Sequence, residues 1–134
     1  MAKAIVHWVE GRRFVGIDST NHSVVLSTPE EGVGMKPSEL LLVALSACTA
    51  VDVVDILKKK RLELTSLEIQ ASGEQEIEPP WTFRKIHLKY LLSGKGLTAK
   101  DVEQTIRLSQ DKYCSVAATL RASVEISWEY TIQK

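Results

Sequence analysis

The apolar positions follow a period of two at the start of the chain, a helical period in the middle, and a period of two again towards the end. Ile5, His7 and Val9 interleave with Ala4, Val6 and Trp8, and residues 13–17 and 23–26 are rich in β-branched side chains. This predicts three short strands, with turns at Gly11, at Asp18-Ser19-Thr20-Asn21 and at Thr28-Pro29-Glu30-Glu31-Gly32. The segment 29–35 carries two glycines and no hydrophobic pattern, and reads as a connector or a lid.

Pro37, with Glu39 close behind it, then opens the strongest helical signal, which runs to about Lys59. Residues 40–51 are apolar on nearly every side, which predicts burial almost all round. The cations Lys58, Lys59, Lys60 and Arg61 stand at the negative end of the helix dipole. Leu62, Leu64, Leu67, Ile69 and Ala71 then lead into a polar stretch, Gln70 to Glu78, consistent with a long strand running out into solvent, with its tip at Glu78-Pro79-Pro80-Trp81. Ile86, Leu88 and Tyr90 next alternate with Lys85, His87 and Lys89, so a hairpin is expected, with a turn at residues 93–96. Thr98 and Asp101 approximate a capping box for a second helix along Val102, Ile106 and Leu108. A short helix at 114–121 and a closing strand at 123–132 complete the order βββ-α-ββ-α-α-β. That order defines an α+β fold, a mostly antiparallel sheet with two main helices, in a single domain over residues 1–134.

Composition narrows the class further. The chain has 134 residues, 17 basic and 17 acidic side chains and a formal charge of zero, so no basic field points to nucleic acid or to an anionic membrane. The strongly apolar run 40–51 ends at Asp52, short of the ~20 residues that cross a bilayer, and the N-terminus lacks a signal-peptide pattern. A cytoplasmic protein without nucleic-acid or membrane partners is expected.

Chemistry concentrates at the two cysteines, Cys48 in Leu-Ser-Ala-Cys-Thr-Ala-Val-Asp-Val-Val and Cys114 in Asp-Lys-Tyr-Cys-Ser-Val-Ala. Both can be small buried hydrophobes, or they can form a redox-active pair. No Cys-x-x-Cys or His-x-x-x-His spacing supports a metal site, and no cofactor motif is present; Gly94-Lys95-Gly96 lacks phosphate-loop spacing. Cys48 lies mid-helix, where desolvation raises a thiol pKa; Cys114 lies near a helix start, which lowers one. On this ground alone Cys114 is the easier thiol to ionise. Asp52 and Asp55 follow Cys48 on nearly the same helical stripe, where a carboxylate opposes a thiolate unless it is engaged elsewhere. His7, His22 and His87 fall in strand-like segments and are candidates for a Cys–His pair.

Lys36-Pro37-Ser38-Glu39-Leu40, then Leu45-Ser46-Ala47-Cys48, and finally Asp111-Lys112-Tyr113-Cys114-Ser115-Val116 together resemble the OsmC/Ohr family of peroxide-handling proteins. The first helix, with Asp52-Val53-Val54, is most similar to the less characterised OsmC-like branch. The resemblance covers the whole chain and implies an OsmC-like fold, an intertwined homodimer with one central helix from each chain, and sites at the subunit interface. The implied activity is reduction of organic hydroperoxides in oxidative stress defence, with Cys48 as the peroxidatic thiolate, Cys114 as the resolving thiol and an external dithiol as reductant. The resemblance also implies an activating arginine in the N-terminal hairpin, for which Arg13 is the candidate over Arg12. The family carboxylate expected directly after the proline is replaced by Ser38, and Glu39 stands one place on. Nine helical residues are two and a half turns, which puts Glu39 opposite Cys48 and suits it to a helix start or a dimer contact. The altered acid supports a rival reading: a dimeric ligand-binding or redox-sensing protein of the same fold with slow thiols.

Overall fold

The structure is a computed structural model that describes residues 1–134. The chain divides into two compact units, Met1–Leu41 and Leu42–Lys134.

The first unit is the expected meander. β1 (Ala4–Glu10), β2 (Arg13–Asp18) and β3 (Ser23–Ser27) pair antiparallel in that order. Gly11 and Asn21 take positive φ at the two hairpin turns, and Asp18 holds the second by accepting from the main-chain N–H groups of Thr20 and His22. The 29–35 segment is a connector docked on β3. Met35 exchanges main-chain hydrogen bonds with Val25 and Ser27 at 2.9 and 3.2 Å. Gly34 permits that approach, because a Cβ there would stand 2.8 Å from the Val25 carbonyl. β1 remains exposed along its whole length, Trp8 and Val6 included.

α1 (Pro37–Lys59) starts at its proline and ends where the cations gather. Arg61 adopts φ 61°, its N–H reaches the Lys58 carbonyl and the Leu62 N–H reaches the Leu57 carbonyl, the paired bonds of a Schellman stop. The expectation of burial all round is corrected. Within one chain only the stripe Leu45, Thr49, Val53 and Leu57 is buried, one residue per turn, while Val43, Val51 and Val54 are exposed. α1 has the length and hydropathy of a membrane span, yet its buried stripe carries Thr49, hydrogen-bonded to Tyr90 of the sheet described next, as in a helix packed within a protein.

The second unit holds a separate three-stranded sheet, β4 (Glu63–Gln75), β5 (Phe83–Lys95) and β6 (Glu125–Gln133), with β5 central. β4 and β5 form the expected antiparallel hairpin, whereas β6 runs parallel to β5. β4 carries a bulge between Leu64 and Ser66, and β5 continues through the expected turn to Lys95, with Gly94 paired to Leu64. Ile86, Leu88, Tyr90 and Leu92 form the buried face of β5. α2 (Ala99–Leu108) is capped by Thr98, whose hydroxyl accepts the Asp101 N–H and donates to its carboxylate. One π turn, Ser109–Tyr113, then separates α2 from α3 (Ser115–Leu120), with Cys114 as the α3 N-cap.

Candidate active site

Two elements of the second unit bring the thiols together. α1 carries Cys48, half-buried beside the buried Leu45–Thr49 stripe, and the π turn delivers Cys114 against it. The turn is closed by the Cys114 N–H on the Ser109 carbonyl at 2.7 Å, five residues back. A regular helix would have carried Cys114 onward in the α2 spiral; the π turn instead ends α2 and starts α3 with its first N–H groups free.

Those groups face Cys48. Its Sγ lies 3.9 Å from the Ser115 hydroxyl. Burial opposes ionisation of Cys48, but the Val116 N–H, the Cys114 thiol, the Ser115 hydroxyl and the Ser115 N–H together outweigh it and hold the thiol below its ordinary value. Cys114 responds in the opposite sense. It is fully buried, and burial pushes its thiol up to about 11, with the proximity of Cys48 adding to the rise against the Ala117 N–H that its sulfur accepts at 3.4 Å. The order of acidity expected from position alone is therefore reversed. The helix start that should have ionised its own N-cap cysteine acts on the cysteine opposite, and the N-cap sulfur, buried, stays protonated and donates to it.

The other candidates have partners or surroundings of their own. Arg13 belongs to the first unit, where its Nε meets the Glu31 carboxylate at 2.6 Å with Glu10 at 4.0 Å. Glu39 is exposed in the first turn of α1, 3.7 Å from Lys36 and two and a half turns from Cys48. Asp52 is engaged: it accepts the Ser109 hydroxyl at 2.7 Å. Asp55 is exposed. His22 bonds to Thr20, and His87 lies between Ser127 and Glu129 at 2.8 and 2.6 Å, so neither forms a Cys–His pair in its own unit.

Sequence reasoning missed Ser115 and the Val116 N–H, and it missed a buried polar cluster behind the thiols: Thr49, Tyr90, Ser109 and Gln110. One signal was present. Thr49 falls on the Leu45–Val53–Leu57 stripe, and a hydroxyl there demands a buried partner.

The fold is thus an α+β chain that sets a lowered thiol on a long helix against a buried second thiol at a short helix start. The family model for OsmC-like protein matches residues 29–129, and the chain belongs to that family. It is 34% identical to Protein YhfA of Escherichia coli K12 over 130 residues, 97% of each chain. Among solved structures it is similar to a hypothetical protein from Aquifex aeolicus VF5, with a TM-score of 0.86 and 32% identity over 100% of this chain and 98% of that one. It also shares its fold with the organic hydroperoxide resistance protein OhrB of Bacillus subtilis, with a TM-score of 0.66 and 18% identity over 98% of each chain.

Proposed function

We propose that this protein takes part in peroxide resistance as a thiol-dependent peroxidase that reduces organic hydroperoxides. The unequal thiol pair is the observation that supports this reading most strongly: Cys48 is lowered by four donors and Cys114 is held protonated beside it. The Cys48 thiolate attacks the terminal oxygen of the hydroperoxide, the O–O bond breaks, and the alkoxide takes a proton from solvent to leave as an alcohol. Cys48 is then a sulfenic acid. Loss of the thiolate charge removes one of the causes that raised Cys114, so Cys114 ionises more readily at that moment. Its sulfur attacks Cys48, water departs, and a disulfide remains for an external dithiol to reduce.

The working unit in this reading is a cytoplasmic homodimer. Val43, Val51 and Val54 on α1 and Trp8, Val6 and Ile5 on β1 are exposed in the single chain, and a second copy would cover them and wall the substrate's organic tail. Treating a Cys114→Ser variant with one equivalent of cumene hydroperoxide and trapping with dimedone tests the assignment. The expected product is a single adduct on Cys48 after about one turnover. No adduct, with peroxide left intact, would favour the slow redox-sensing or ligand-binding reading that the serine at position 38 supports.

A further inference from the structure

A chain of hydroxyls runs behind the thiol pair. Thr49, next to Cys48 on α1, is fully buried, and its Oγ1 lies 2.8 Å from the Tyr90 hydroxyl on β5 and 2.7 Å from Ser109 Oγ at the start of the π turn. Ser109 donates to the Asp52 carboxylate at 2.7 Å, and the Gln110 amide donates to the Tyr90 oxygen at 2.9 Å. Ser109 gives its one proton to Asp52, so the direction of the other bonds follows: Thr49 gives to Ser109, and Tyr90 to Thr49. Each hydroxyl both gives and receives. A buried network satisfied in this way is rigid and has one geometry.

Ser109 links that network to the site. Its side chain is tied to α1, the helix of Cys48, while its carbonyl accepts the Cys114 N–H. Gln110 provides a second tie, because its carbonyl accepts from Arg121 just past α3. The π turn is thus anchored on one side to the helix that carries the first thiol and on the other to the short helix whose N–H groups face it.

We propose that the chain Tyr90–Thr49–Ser109–Asp52 is a positioning element for the thiol pair, fixing Cys114 and the start of α3 against Cys48. The proposal rests on reading Cys48 as the nucleophile. These residues act through the Ser109 and Cys114 main chain, not on the sulfur, which separates them from Ser115. The titratable groups packed around the chain are Asp52 on α1, Tyr90 on β5 and Cys114 after the turn. Burial raises Tyr90, and Cys114 stands at about 11, so both remain protonated at and below neutral pH.

Iodoacetamide alkylation of Cys48 in the reduced protein, followed by peptide mass across pH, tests the idea without requiring peroxide turnover. Thr49→Val keeps the shape and removes the hydroxyl, and it should slow Cys48 alkylation about fivefold at neutral pH, the difference closing in alkali as the thiol ionises. Thr49→Ser should react within about twofold of the wild type, since it restores the bonds. Ser109→Ala should reproduce the Thr49→Val loss, and it serves as the test if that variant does not fold. A wild-type pH profile in the folded Thr49→Val or Ser109→Ala protein, with only the melting temperature lowered, would overturn the proposal and leave the network as core packing alone. Failure of the peroxidase reading would not move this assay, so the two are distinguishable.

Discussion

Replacing Ser115 by proline removes two donors from Cys48 while leaving the fold that presents them. Ser115 is the first residue of α3, where the N–H has no helical partner and proline is well tolerated. Cys114 before it is already extended, at φ −75° and ψ 105°, as a residue preceding proline must be. The variant loses the hydroxyl 3.9 Å from the sulfur and the Ser115 N–H, and keeps the Val116 N–H and the Cys114 thiol. A hydrogen bond to a charged group contributes about 1.5–3 kcal/mol. Both bonds here fall below that range, because the sulfur contact is long and Ser115 is exposed, so their joint loss costs the thiolate about 2 kcal/mol, near thirtyfold in reactivity. Ser115→Ala, which removes the hydroxyl alone, should cost about fivefold. Alkylation and hydroperoxide consumption at neutral pH, each with a thermal melt, provide the comparison. A folded proline variant that reacts at the wild-type rate would refute the claim that the start of α3 activates Cys48.

Three further outcomes follow from the same structure. Cys114 holds its proton to about pH 11 in the folded chain, whereas an unfolded thiol releases it near 9.0, so the folded state binds the extra proton and stability falls as pH rises across that window. Reduced wild type should lose on the order of 1 kcal/mol there relative to Cys114→Ala in urea titrations, and parallel curves would show that the thiol is not raised. Arg61→Gly should raise stability by about 1 kcal/mol, because Arg61 holds a left-handed helix stop that glycine adopts without strain; an unchanged urea midpoint would remove that strain from the account. Val51→Asp, on the exposed apolar face of α1, should halve the mass measured by sedimentation if two chains meet there, and an unchanged mass would place the interface elsewhere.

The elements were legible because each carries its own period and punctuation. Pro37 and the terminal cations bracketed α1 to its final residue, and Thr98-x-x-Asp101 marked the start of α2. Alternation separated the buried Ile86, Leu88 and Tyr90 from Lys85, His87 and Lys89. Partnering between distant strands was not legible. Nothing in residues 125–133 distinguishes a parallel from an antiparallel neighbour, and the division into two sheets depends on which edges meet. The extent of α1 burial failed for a related reason, since apolar composition says that a face will be covered and not whether its own chain covers it.

At the site, the motifs located both sulfurs, but their acidity is a tertiary property. Position along a helix assigned the lower pKa to Cys114; the π turn, which no sequence period announces, aims the free N–H groups of α3 at Cys48 instead. The carboxylate of Asp52, adverse on a helical wheel, is hydrogen-bonded to Ser109, fifty-seven positions away. Thr49 was the one visible trace of that polar cluster.

Stopped-flow mixing of the fully reduced protein with cumene hydroperoxide and, separately, hydrogen peroxide, followed by intact mass, tests the central claim most directly. Rapid and selective consumption of the organic peroxide, with a mass lower by two hydrogens from a Cys48–Cys114 disulfide, is the predicted result. Slow consumption of both peroxides, with both thiols still reduced, would contradict it.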